Sequence, residues 1–217
     1  MEIRQVTLDN CAEVTGIVVV IDVIRAFTTA ALAFAKGAEK ISLVSTVEEA
    51  FFLRNQTPGT LLMGEVNALP VHGFDLSNSP SSLEEIDLAG KHLIQRTTAG
   101  TQGIVLSHQA DTLLATGFCC ASATAQYIST ITADSLTFVI TGSGPGDWGD
   151  EDAACADYIE ALLEGKTADS APFIQRILNS PSGRIFADPL RSEFPDSDLR
   201  ARKKIIWHFC IPTSPYL

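Results

Sequence analysis

Positive charge is in short supply in this chain: 15 Lys and Arg stand against 26 Asp and Glu over 217 residues, a net charge of −11. Gripping a nucleic-acid backbone rests on clustered basic side chains, so the deficit argues against a nucleic-acid partner. An anionic ligand would need a local array of Arg, backbone N–H groups or a metal ion to overcome the global field. A divalent cation suits a carboxylate-rich chain best. Cys-x-x-Cys spacing is also absent. The five cysteines, at 11, 119, 120, 155 and 210, are odd in number and several lie in apolar runs. That pattern predicts reduced, buried thiols rather than a disulfide framework or a zinc site. The four histidines, at 72, 92, 108 and 208, lack metal-site spacing, so surface or packing roles are expected. Apolar runs are too short to span a bilayer, and the first residues carry no basic-then-apolar leader. A cytoplasmic protein without a membrane partner is the expectation. Internal repeats and low-complexity tracts are missing too.

What is present is an ordinary globular balance, 46% apolar and 19% charged, in a length that suits one α/β domain or two smaller parts sharing a cleft. Short β-branched runs alternate with helical segments. Gly16 to Ile21 is a continuous apolar run ending in Asp22, the pattern of a central strand buried on both faces. Residues 25–35 predict an Ala-rich helix stopped by Gly37. Strands are expected over 41–45, 61–63, 92–96, 112–115 and 136–140, with helices over 122–131 and 150–164 and one opened by Thr46 and Glu49 as a capping box. Residues 66–80 lack periodicity, but their apolar members argue for order. Towards the C-terminus, helices over 173–178 and 197–204 and a strand over 205–211 are expected. The alternation predicts a layered α/β/α fold with a mostly parallel or mixed sheet. Ligands in such folds bind beyond the carboxyl ends of strands, where Asp22, Glu65, Thr97–Thr101 and Thr141–Asp152 would converge.

Each of these segments admits a plain structural reading beside a chemical one. Asp22 leaves the core where a helix N-terminus, Arg25 and Thr28 could meet an anion, or it merely caps that helix and pairs with Arg25. Glu65 and Asp75, with Asn67, Asn78 and Ser79, offer oxygens to a hard cation, or form a polar loop that satisfies its own backbone. Thr97-Thr98-Ala99-Gly100-Thr101 could hold phosphate oxygens, or is a threonine-rich cap. No Walker lysine follows it, so it is not a nucleotide P-loop. Gly142 to Gly146 precedes three acids, of which Asp150 would cap a helix while Glu151 and Asp152 exceed what capping needs. Cys119 and Cys120 lack the surroundings of a phosphatase cysteine loop.

The order of these motifs resembles the 2-phosphosulfolactate phosphatase family. Its Asp-Val-Leu-Arg-Ala-Thr-Thr-Thr-like start corresponds to Asp22-Val-Ile-Arg-Ala-Phe-Thr-Thr29, and its Gly-Glu and Gly-Phe-Asp…Asn-Ser-Pro elements to Gly64-Glu65 and Gly73-Phe-Asp-Leu-Ser-Asn-Ser-Pro80. Its Thr-Thr-Asn-Gly-Thr element matches Thr97-Thr-Ala-Gly-Thr101, and its late Glu-Asp…Cys-Ala element matches Glu151-Asp-Ala-Ala-Cys-Ala156. The likeness runs from about residue 15 to 165. Three departures stand out: Val66 where the family has Arg, and Ala99 and Cys120 where Asn is expected.

The resemblance implies a Mg²⁺-dependent phosphatase that converts 2-phosphosulfolactate to sulfolactate and phosphate in coenzyme M biosynthesis. The expected catalytic set is Asp22, Arg25, Glu65 and Asp75. Thr28, Asn78, Ser79, Thr97, Thr98, Gly100 and Thr101 would bind the substrate, and Asp22, Glu65, Glu151 and Asp152 the metal. The expected partner is a small anionic phosphorylated substrate, with a homodimer left open. Two rivals remain: a haloacid-dehalogenase-like phosphatase, against which Ile24 stands where a second acid is required, and a non-catalytic homologue that binds a small anion.

Overall fold

The computed structural model describes residues 1–166, 169–188, 190–191, 194–201 and 211–213. In chain order the elements are β1 (Glu2–Thr7), β2 (Ile17–Ile21), α1 (Ala26–Ala35), β3 (Lys40–Val44), α2 (Val47–Gln56), β4 (Leu61–Val66), β5 (Leu69–Pro70), β6 (Leu76–Ser77) and β7 (His92–Arg96). They continue with α3 (Gly100–Leu106), β8 (Thr112–Thr116), α4 (Ala121–Ile128), β9 (Ser135–Ile140), α5 (Asp150–Leu163), α6 (Ala171–Asn179), α7 (Pro181–Ala187), α8 (Asp196–Ala201) and β10 (Ile211–Thr213).

The strands form two sheets rather than one. The first has the order β1-β9-β2-β8-β10, parallel except for β10. The second has β3-β7-β4-β5 with β6 also against β4, parallel except for β5. Strand β2 sits between β9 and β8 with all five residues buried. Because side chains alternate across a strand, Ile17, Val19 and Ile21 face a core shared with α4 and α5, while Val18 and Val20 face Ala26, Phe27, Ala30 and Ile104 of α1 and α3. The α/β architecture with helices on both sheet faces is thus the one the alternation predicts.

Helix α1 also reaches the second sheet: Leu32 and Ala33 pack with Met63 of β4 and Leu93 of β7. Its first eight residues are all buried, which explains why it is built from alanine. A helix enclosed between two sheets has room for small side chains, not for an amphipathic face. On the far side of the second sheet, Val44, Leu62 and Ile94 meet Ala50 and Phe51 of α2. Thr46 caps α2 by accepting from the Glu49 N–H at 3.0 Å, and the Glu49 carboxylate accepts from the Ser45 N–H rather than that of Thr46.

The expected helix over 197–204 is α8, and its last three residues lie outside the described residues. The expected strand over 205–211 overlaps β10 only at Ile211, the rest again lying outside. Cys11, Cys119, Cys120 and Cys155 are buried and unbridged, as expected, and Cys210 lies outside the described residues. His72, His92 and His108 are exposed. No described helix is long and apolar enough to cross a membrane.

Candidate active site

The carboxyl ends of β2 and β9 from one sheet meet those of β4 and β7 from the other around a cleft of about 330 Å³. Asp22, Arg25, Glu65, Thr98 and Gly142 all line it. Asp22 leaves β2 and turns into α1, where one carboxylate oxygen accepts from the Ala26 N–H at 2.9 Å. The capping reading is therefore correct as far as it goes. The side chain is nevertheless 5% exposed, and its pKa is raised to about 7, first by burial and then by the charges of Glu65 and Glu151. Its second oxygen faces Gly100. A β-carbon there would stand 2.7 Å from that oxygen and 2.8 Å from the Ala26 β-carbon, so the close approach of α3 to Asp22 requires glycine.

Glu65 is fastened at the end of β4. It accepts from the Thr98 N–H at 2.5 Å, the Thr98 hydroxyl at 3.0 Å and the Ala68 N–H at 2.5 Å. Just before it, Gly64 has φ +146°, and a β-carbon would fall 1.9 Å from the Arg96 carbonyl. Only glycine lets β4 and β7 close together at the rim. Asn67 and Ala68 turn the chain with positive φ into β5.

Glu151 and Asp152 open α5 and are buried at 2% and 1% exposure. Asp152 accepts from the Val23 N–H at 2.8 Å, the Gly142 N–H at 3.0 Å and the Thr141 hydroxyl at 3.1 Å. It latches the end of β2 to the end of β9. Burial and the Glu151 and Asp22 charges hold its pKa well above the usual carboxylate range. One oxygen of Glu151 accepts from the Ser182 hydroxyl at 2.7 Å, and the other has no partner among the described residues.

Other expected site residues are placed elsewhere or otherwise engaged. Asp75 does not enter the cleft: its carboxylate holds the Leu62 N–H at 2.8 Å and Arg54 at 3.3 Å on the flank of the second sheet. Thr28 points away from the cleft and donates to the Val23 carbonyl at 2.8 Å. Thr97 and Thr101 satisfy each other, each hydroxyl accepting from the other's N–H at 3.0 and 2.9 Å, so the threonine-rich segment is largely a cap. Asp150 does not cap α5, whose cap is Gly149. Instead it pairs with Arg176 at 2.6 Å. Asn78 lines the cleft, and Ser79 a smaller hollow beside it. Of the three departures, Ala99 lines the cleft, Val66 is half-buried at the end of β4, and Cys120 is buried with Cys119 against Ala31 of α1.

Sequence reasoning missed the wall contributed by α7 and the segment before α8: Ser182, Phe186 and Phe194. Ser180-Pro181 was a usable signal for α7, since Ser180 caps it by accepting from the Gly183 N–H at 2.9 Å and proline suits the first helical position.

Among the described residues, no three His, Cys, Asp or Glu side chains are grouped closely enough to enclose a metal by themselves. The acids near the cleft still carry an uncompensated charge. The Glu151 charge raises the pKa of both Asp22 and Asp152, Glu151 keeps a buried oxygen unpartnered, and Arg25 is already paired with Asp198. That donor set fits Mg²⁺ held by one or two carboxylates and completed by water and phosphate oxygens.

A sequence profile described as 2-phosphosulpholactate phosphatase matches residues 4–190. A probable 2-phosphosulfolactate phosphatase of Bacillus subtilis (strain 168) is 40% identical over 182 residues, covering 83% of this chain and 79% of that protein. A protein of the same name from Carboxydothermus hydrogenoformans is 44% identical over 147 residues, 67% of this chain and 60% of its own length. A third, from Clostridium perfringens (strain 13 / Type A), is 33% identical over 175 residues, 77% of this chain and 70% of its own length.

Proposed function

The chain belongs to the 2-phosphosulfolactate phosphatase family, and from that premise we propose that it hydrolyses a small polyanionic phosphomonoester, 2-phosphosulfolactate foremost, to sulfolactate and inorganic phosphate. The observation that carries the reading is the buried carboxylate of Asp22, with its pKa near 7 at the carboxyl end of the central strand. A base needs a pKa close to the working pH to take a proton and release it again. In a phosphate ester bound in the cleft, Asp22 would accept the proton of the attacking water. Glu65 would hold the Thr98 and Ala68 amides in place along the wall, and Arg25, already paired with Asp198, would add its charge at the edge of the cleft.

Glu151, whose second oxygen has no partner among the described residues, would hold Mg²⁺, and the ion would supply neutralisation of the phosphoryl charge. The reading carries a place in coenzyme M-type biosynthesis and a cytoplasmic setting, the latter supported by four buried, unbridged thiols.

A panel of phosphomonoesters with and without a sulfonate, assayed with Mg²⁺ and with EDTA, tests the substrate and the metal together. The expected result is phosphate release only with Mg²⁺ and fastest for 2-phosphosulfolactate. No release from any ester by a folded sample would favour the anion-binding homologue. Acid-quenched single turnovers should leave Asp22 unmodified, whereas a stoichiometric phospho-Asp22 peptide would replace the water route by nucleophilic attack from Asp22.

A further inference from the structure

Arg25 does not face the cleft as an open cation. Its guanidinium lies 4.7 Å from the ring centre of Phe186 and 5.8 Å from that of Phe194. One nitrogen donates to a carboxylate oxygen of Asp198 at 2.8 Å. The other oxygen of Asp198 accepts from the Ser79 hydroxyl at 2.8 Å, the Ser81 hydroxyl at 2.6 Å and the Ser81 N–H at 3.0 Å. A single carboxylate, with its side chain fully buried, thus collects four donors, one of them charged.

With the Asp198 carboxylate set aside, what remains is a guanidinium, two hydroxyls and a backbone amide aimed at one point. That is the composition of an anion receptor. It also opens in the right direction. Ser79 and Arg25 line a hollow of about 210 Å³ that shares Arg25, Glu65, Ala68 and Asn78 with the cleft holding Asp22. Arg25 and Ser79 come from two of the motifs that mark the family, and Ser81 follows the second directly. Their occupant lies at residue 198, past residue 190 where the match to the family profile stops, on a helix of six residues.

We propose that Arg25, Ser79 and Ser81 form a second anion subsite of the cleft, taking a carboxylate or sulfonate of a small ligand, and that Asp198 is its internal occupant, displaced when such a ligand binds. The identification of the ligand as a substrate rests on the phosphatase reading above; the subsite itself does not. An intramolecular carboxylate competes at a high effective concentration. The subsite is therefore closed to weak anions and opens to a ligand that is anchored by a second group at Asp22. This makes α8 a gate that discriminates doubly anionic esters from singly anionic ones.

The experiment is a thermal-shift titration of wild type, Asp198→Ala and the triple variant Asp198→Ala/Ser79→Ala/Ser81→Ala with sodium methanesulfonate and sodium acetate, against sodium chloride at matched ionic strength. Asp198→Ala should melt lower than wild type and recover by several degrees, saturably, with either organic anion and not with chloride. The midpoint should lie at least tenfold below any in wild type, and the triple variant should lose the response. A response of Asp198→Ala no greater than that to chloride would overturn the proposal.

A second measurement needs no variant. Hydrogen exchange across residues 194–201 of the wild type should accelerate with phosphonoacetate, a non-hydrolysable ligand with two anionic groups, and stay unchanged in chloride; equal exchange with both would also overturn it. Neither readout involves turnover. A chain that binds the anions but releases no phosphate contradicts the hydrolase reading alone, and a working phosphatase without the anion response contradicts only the subsite.

Discussion

Asp22 carries two duties that pull against each other. As an acceptor for the Ala26 N–H it caps α1, and as a buried acid beside Glu65 and Glu151 it is costly to ionise. Its folded pKa of about 7 lies above the ordinary 3.8, so the folded state binds this proton more tightly than the unfolded state does. In metal-free protein, stability should therefore fall as pH rises from about 4 to 7, and the full penalty should be present above that window. Asp22→Asn removes the titration while keeping the acceptor. In EDTA at pH 8 it should be more stable than wild type by on the order of 3 kcal/mol, a gap that closes towards pH 4. Urea midpoints across that range would check it, and a gap independent of pH would show that Asp22 is not held near 7. Not all of this was legible from residue types. A carboxylate after a buried strand marks Asp22 clearly, but Asp75 looked equally suitable in a polar loop. Nothing in its neighbours foretold that it would be spent on Arg54 and the Leu62 amide.

Elements are placed around the cleft by two close contacts. Gly100 lets α3 approach Asp22, so Gly100→Ala would drive a methyl into a carboxylate oxygen and the Ala26 methyl. It should cost about 1–3 kcal/mol of stability and lower kcat at least tenfold, with chemical denaturation and steady-state assays as the checks. Asp152 ties β2 to β9 through three accepted hydrogen bonds. Asp152→Ala would leave the Val23 and Gly142 amides unmet, while the Thr141 hydroxyl keeps the Ile21 carbonyl, for a loss of about 2–4 kcal/mol, visible as a lower urea midpoint at unchanged slope. Among the elements, β2 and α1 were the easiest to read. One is apolar on both faces and the other alanine-rich, and each pattern follows from full enclosure. Strand β1 went unread because it lies at a sheet edge against β9 alone, with Glu2 and Arg4 exposed enough to break any apolar run.

The molecule as a whole works against its proposed substrate. A net charge of −11 repels a polyanion, and the described cation nearest Asp22, Arg25, is matched by Asp198. At fixed Mg²⁺, raising salt from about 10 to 150 mM should therefore increase kcat/KM for a polyanionic ester, because screening weakens the long-range repulsion more than the buried contacts. A steady fall with salt would point to a basic entry path instead. The division into two sheets was beyond the reach of the sequence, since strand pairing is set by contacts between distant segments rather than by local pattern. The convergence of four strand ends was inferred correctly, because the chemistry of a strand's carboxyl end is written beside it.

The central claim is that Asp22 performs phosphoester chemistry in this cleft. Phosphate release from 2-phosphosulfolactate by wild type and Asp22→Asn, with saturating Mg²⁺ at pH 7, tests it most directly. The account predicts turnover by wild type and a loss of at least about 10³-fold, mainly in kcat, for a folded Asp22→Asn. Equal rates for the two proteins would contradict it.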